Sequence, residues 1–264
     1  MSAGTAAMLG RATAWPAIAH VLPLDQDEVH VWLADLSRSG DSSGQLASIL
    51  SEDERNRAAR FHFPRDADRW MVSRMVLRSI LGSYLGVEAS AVQFCVGPWG
   101  KPELTASFQR HLLQFNASRS DGLGLYAVAR NRRVGVDIER LRPFPDLRAI
   151  AAQILSPREH QTLGELPPAE QCAAFFNCWT RKEAYIKALG EGLVHPLERF
   201  SVSLTPDGPL KLEGVGSKSA EVGRWSLSAL APVPGYAAAL AIEGAPARLL
   251  CAQPLFAVAH LAGF

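Results

Sequence analysis

The chain has 264 residues, enough to bury a core without disulfide staples and sized for one large domain or two small ones. Hydrophobic residues make up 48% and charged residues 20%, with no low-complexity tract, which excludes a disordered or fibrous chain. Lys plus Arg (27) against Asp plus Glu (26) leaves a net charge of +1, which argues against a dedicated nucleic-acid binder while leaving room for a local basic face.

In chain order, the Ala-rich start is broken by Gly4, Gly10, Pro16 and Pro23 and has no basic segment before it. It reads as a loose tail over residues 1–25 of a cytoplasmic protein rather than a signal peptide. Alternation at Val29, Val31 and Leu33 predicts a strand, followed by a polar turn over 37–44. Helices are expected over 45–60 and 65–85, the second with Trp70, Leu77, Ile80, Leu81 and Tyr84 facing the core. Short β runs follow at 92–96, 112–115, 123–129 and 133–139. The second half repeats the rhythm: a helical region over 146–163, a long helix over 169–189, then strands at 200–204, 225–230 and 236–242. The last of these is far short of the ~20 apolar residues of a membrane span.

Helices grouped before runs of strands predict an α+β fold with antiparallel sheets. The shared order of elements suggests a duplicated unit joined near residues 130–133, with halves at 26–131 and 132–264. Cys95, Cys172, Cys178 and Cys251 show no zinc spacing and read as buried, reduced thiols.

Chemistry concentrates in two segments. In Gly135-Val136-Asp137-Ile138-Glu139, a strand would send Val134, Val136 and Ile138 inward and set Asp137 and Glu139 together on the other face. That face is either solvated or built around a cation. On the long helix, Cys172, Phe175, Phe176, Trp179, Ile186 and Leu189 form an apolar stripe, with Glu183 on or beside it and Lys187 one turn further. An inward carboxylate must be neutralised. Either Lys187 does so as an ordinary i,i+4 pair, or Asp137, Glu139 and Glu183 hold a hard divalent cation, for which all-oxygen ligation suits Mg²⁺ and a substrate diphosphate.

Basic groups for the remaining phosphates are weaker signals, each more often structural. Arg65 and Arg69 share a helix face roughly opposite Arg74 and Arg78. Gly100-Lys101-Pro102 is a lysine-bearing turn, and Asn116-Ala117-Ser118-Arg119-Ser120 reads as a loop able to contact phosphate.

Together, residues 61–78 (FHFPRDADRWMVSRMVLR), Gly100-Lys101-Pro102, residues 115–120 (FNASRS), residues 135–139 (GVDIE) and residues 179–187 (WTRKEAYIK), followed by Gly190-Glu191-Gly192-Leu193, resemble the motif series of the Sfp-type 4′-phosphopantetheinyl transferases. The resemblance covers about residues 50–230. It implies a pseudo-dimer of two similar α+β halves with the active site between them, to which size, charge and the lack of a long apolar run add a monomer with no nucleic-acid or membrane partner. It also implies Mg²⁺- or Mn²⁺-dependent transfer of the phosphopantetheine arm of coenzyme A to a serine of an acyl or peptidyl carrier protein, of fatty-acid, polyketide or nonribosomal-peptide type, releasing adenosine 3′,5′-bisphosphate. By motif position Asp137, Glu139 and Glu183 would be metal ligands, Glu183 the general base and Lys187 the cation that offsets leaving-group charge. Arg69, Lys101, Ser118 and Arg119 would hold coenzyme A, with Gly100, Pro102 and Asn116 shaping its site. The sequence departs from the family at Arg119, where a histidine is usual.

Two rival readings differ in class. Gly40-Asp41-Ser42-Ser43-Gly44 formally matches a nucleophile elbow and would make Ser42 a hydrolase serine, but no oxyanion segment accompanies it. The other rival is a non-catalytic module that binds coenzyme A or a carrier.

Overall fold

The computed structural model describes residues 15–37, 48–144, 146–190, 196–205, 210, 212–214, 223–244 and 248–258. Most of the expected tail, Ser42 with its surrounding turn, the first residues of the helix expected from 45, and Glu191 to Leu193 lie outside them.

The first half runs β1 (Ala17–Ile18), β2 (Glu28–Asp35), α1 (Glu52–Ala58), α2 (Pro64–Leu85), β3 (Phe94–Val96), β4 (Pro102–Leu104), β5 (Leu113–Ser120) and β6 (Leu123–Arg130). The second continues with β7 (Val134–Arg140), α3 (Leu147–Ile154), α4 (Pro157–Glu165), α5 (Pro168–Leu189), β8 (Phe200–Val202), β9 (Leu212–Gly214), β10 (Trp225–Leu230), β11 (Tyr236–Glu243), β12 (Arg248–Pro254) and α6 (Leu255–Val258).

Local chemistry explains where the expected helices were too long. Residues 48–49 are helical, but Ser51 is extended at ψ 164° and closes a capping box with Glu54, so the helix expected over 45–60 is interrupted there and α1 starts at residue 52. The region expected as one helix over 146–163 is split because Pro157 forces Ser156 out of the helical region, and Ser156 caps α4 through a second box with Glu159. The long helices α2 and α5 match each other: both have 22 residues, begin with proline and end at a left-handed glycine, Gly86 (φ 69°) and Gly190 (φ 75°).

The period of two then sorts the strands into layers. Val29, Val31 and Leu33 of β2 and Leu125, Ala127 and Ala129 of β6 meet Val134, Val136 and Ile138 of β7 and Ala238, Leu240 and Ile242 of β11 in a central core. Trp32, Tyr126 and Val128, on the opposite face of the first sheet, pack under α2. Ala237, Ala239 and Ala241 of the second sheet pack under α5. The result is helix, sheet, sheet, helix: an α+β pseudo-dimer of two similar halves. Among the described residues no helix is long and apolar enough to cross a membrane.

The sheets are ordered β1-β12-β2-β6-β5 and β10-β11-β7. The pairings of β12 with β1 and β2 are parallel, whereas β2, β5 and β6 pair antiparallel, as do β7, β10 and β11. Strand β12, which chain order places with the second half, thus completes the sheet of the first. Strands β5 and β7 are each the last strand of their sheet, and the functional seam forms where these two edges meet. The thiols depart from the expectation: Cys178 and Cys251 are buried, but Cys95 is exposed because β3 belongs to a two-stranded hairpin with no cover on that side.

His30, 1% exposed, lies under α2 with Nδ1 2.6 Å from the Tyr84 hydroxyl. Burial holds its pKa below 6.5 against the opposing charge of Glu28. A pKa lowered by folding contributes stability that is present above pH 6.5 and lost as pH falls toward the folded value. Denaturant titrations between pH 7 and 5 should show that decline, and His30→Gln should flatten it; an unchanged slope would refute the assignment.

Candidate active site

The seam is zipped by alternate residues of β5. Asn116 Oδ1 accepts from the Val136 amide at 2.9 Å, Ser118 Oγ donates to Asp137 Oδ1 at 2.8 Å, and Ser120 Oγ donates to Glu139 Oε2 at 2.8 Å. The segment expected as a loop is therefore strand. Its period of two puts the three small polar residues on the seam and sends Arg119 to the other side.

Helix α5 closes over the acids because Gly135 lets it approach. A Cβ at Gly135 would stand 2.1 Å from the Ala184 carbonyl oxygen and 2.4 Å from the Ala188 nitrogen. Lys187 Nζ lies 2.6 Å from Asp137 Oδ1 and 3.0 Å from Ser118 Oγ. Of the two neutralisers weighed for Glu183, the local pair with Lys187 is not formed as a salt bridge: the ammonium crosses to Asp137.

That leaves too little positive charge. Asp137 is 2% exposed and Glu183 9%, and burial raises both pKa values, as it does that of Glu139. After burial, the Asp137 charge is the main cause at Glu183, with Glu139 adding to it and Lys187 opposing. Two carboxylate oxygens, Asp137 Oδ2 and Glu183 Oε1, are buried without a hydrogen-bond partner. Buried orphan acceptors of this kind are rare in folded proteins.

Among the described residues no three His, Cys, Asp or Glu side chains are drawn together as a closed ligand set. The Lys187 ammonium is what Asp137 touches instead. The orphan oxygens, hard donors in an anionic pocket, nevertheless fit a hard divalent cation.

Beside the seam opens a cleft of about 940 Å³, lined by Arg57 of α1, Trp70 and Arg74 of α2, Gly100 and Pro102 of the β3–β4 hairpin, and Asn116 and Arg119 of β5. Arg74 and the buried Arg78 are both paired with Glu54, which fixes Arg74 over the Phe94 ring, 4.0 Å from its centroid. No acid pairs with Arg119 among the described residues. Burial in the cleft and the charges of Arg57 and Arg74 lower its pKa, but arginine stays protonated at working pH. Arg57 and Arg74 were not singled out in the sequence as cleft residues, since only the meeting of α1, α2 and β5 brings them to Arg119. The alternation of Asn116, Ser118 and Ser120 could have flagged Ser120 as a seam residue.

Two expected phosphate ligands lie elsewhere. Arg69 pairs with Asp121 at 3.0 Å on the β5–β6 turn. Lys101 is directed away from the cleft, its ammonium 2.8 Å from the Lys187 carbonyl and 3.4 Å from that of Val134. The Lys187 carbonyl, in the last turn of α5 and in need of a donor, holds it there.

Residues 133–241 match the model of the 4′-phosphopantetheinyl transferase superfamily, and residues 39–130 that of a 4′-phosphopantetheinyl transferase N-terminal region. The chain belongs to the 4′-phosphopantetheinyl transferase family. It is 42% identical to the 4′-phosphopantetheinyl transferase HetI of Nostoc sp. (strain PCC 7120) over 84% of this chain and 91% of that one. It is 30% identical to the 4′-phosphopantetheinyl transferase Sfp of Bacillus subtilis (strain 168) over 68% of this chain and 77% of that one. In this transferase the acids, Lys187 and the seam serines all come from β5, β7 and α5. The first half lacks the pair: aligned from their matching ends, α2 has Ser79 and Ser83 where α5 has Glu183 and Lys187.

Proposed function

We propose that this chain transfers the 4′-phosphopantetheine arm of coenzyme A to a serine of an acyl or peptidyl carrier protein and releases adenosine 3′,5′-bisphosphate. It does so as a monomer in the cytoplasm, without nucleic-acid or membrane partners. The observation that carries this reading is the pair of partnerless carboxylate oxygens on Asp137 and Glu183, buried beside Lys187 on the seam with β5, the strand whose Asn116 and Arg119 also line the arginine-bearing cleft.

Asp137, Glu139 and Glu183 would hold Mg²⁺ or Mn²⁺, which when bound neutralises part of the diphosphate charge. Arg119, with Arg57 and Arg74 beside it, grips phosphate oxygens, and Asn116, Gly100 and Pro102 shape the cleft wall. Glu183 takes the proton of the carrier serine at a carboxylate oxygen. The serine oxygen bonds to the phosphorus that bears pantetheine as the bond from that phosphorus to the bridging oxygen breaks. The electron pair leaves on adenosine bisphosphate, and the Lys187 ammonium, held by Ser118 and Asp137, offsets its charge.

A mass increase of ~340 Da on a carrier protein incubated with coenzyme A and Mg²⁺ is the expected result, the increment being the transferred arm. No increase on any of several carriers, with coenzyme A still bound, would favour the binding module instead. Arg119 carries its charge at every working pH. Arg119→His should therefore bind coenzyme A as tightly as the parent near pH 5.5 and lose affinity toward pH 8, as the imidazole gives up its proton. Parallel affinity profiles for the two proteins would contradict the assigned contact.

A further inference from the structure

The carbonyls of the last turn of a helix lack intrahelical donors and need partners from outside. In α5 the Gly190 amide serves the Ile186 carbonyl at 3.0 Å. The Lys187 carbonyl is served by Lys101 Nζ, which comes from the hairpin of the other half. The same ammonium reaches the carbonyl of Val134, the first residue of the strand that carries Asp137. The lysine stem crosses the helix end where Gly190 leaves room, its Cδ 3.6 Å from where a Cβ would stand.

We propose that Lys101 is a positioning residue: it caps the C-terminal turn of α5 across the join between the halves and ties that turn, with Lys187, to β7 and to the hairpin that walls the cleft. The inference rests on the transferase reading for its catalytic consequence alone.

Three physical features support it. A cation at a helix C-terminus is favoured by the helix dipole. The amine is half-buried between these carbonyls, and that desolvation pushes its pKa down to about 8. The turn it caps is the one from which the Lys187 side chain reaches Asp137 and Ser118. Small displacements of that turn would move the Lys187 ammonium from both partners.

Lys101→Met keeps the stem and removes the donor. In this variant, hydrogen exchange at the amides of residues 186–190, measured without coenzyme A, should quicken about tenfold while exchange in α2 is unchanged. The dissociation constant for coenzyme A should stay within about twofold, and kcat for carrier modification should fall about tenfold at unchanged KM for coenzyme A. Lys101→Arg, which restores a cationic donor, should recover most of the protection and of kcat; it carries the same comparison if the Met variant does not fold. Unchanged exchange in the last turn overturns the proposal. So does coenzyme A binding about tenfold weaker, which would make Lys101 a phosphate ligand. Absence of transfer by the parent protein would sink the transferase reading, whereas the exchange result would still decide the cap.

Discussion

Glu183→Gln is expected to reduce carrier modification by about a hundredfold to ten-thousandfold, the range for loss of a general base, without destabilising the fold. The carboxylate it replaces is buried among like charges with one oxygen unpartnered, so its removal relieves repulsion. A gain of even 1 kcal/mol would raise Tm by roughly 2–4 °C in a chain of this size. The pH dependence has a definite sign. Because folding raises the pKa of Glu183 above 4.5, its contribution to stability is present below that pH and lost as pH rises through the folded value. Without divalent cations the parent should therefore lose stability over that interval, and the variant should lose less. Added Mg²⁺ should raise the Tm of the parent at neutral pH by binding only the folded state, and should raise that of the variant less. Calorimetry across pH, with and without Mg²⁺, measures all of this. A variant that keeps full activity, or that melts well below the parent, would show that Glu183 is a structural residue.

Gly135→Ala should have a comparable effect by another route. The added methyl would fall within 2.1 Å of the Ala184 carbonyl and 2.4 Å of the Ala188 nitrogen, both backbone atoms of α5 that cannot rotate aside. Helix and strand must separate. The cost should reach about 3 kcal/mol, the upper end for overpacking a core. That corresponds to a Tm lower by roughly 6–12 °C. Activity should fall further than stability accounts for, because the same separation moves Lys187 and Glu183 away from Asp137. At a temperature where both proteins are fully folded, a melting point and a kcat like those of the parent would mean that the close approach does not set the site.

The role of Gly135 also marks how far the sequence reaches. Period-two alternation in Val134, Val136 and Ile138 was enough to place Asp137 and Glu139 on one face of a strand, because alternation is a local property of the backbone. The stripe through Phe175, Phe176 and Ile186 likewise placed Glu183 at a buried helix face. The apolar stripes also located α2 and α5 to within a residue. Alternation could not distinguish a loop from an edge strand at residues 116–120, since their pairing partner, β6, is what makes them a strand. Nor could it show that β12 would join the first sheet.

By itself, then, the sequence determined the α+β halves and the motifs that resemble one transferase family, for these depend on periodicity and side-chain chemistry over short stretches. Tertiary structure alone decided the charge balance of the site. Lys187 crosses to Asp137 instead of pairing within its helix, Lys101 turns to the end of α5 and not into the cleft, and Arg57 and Arg74 gather at Arg119. Each of these depends on which elements meet across the seam, and electrostatic energy is set by distance in space rather than by separation along the chain.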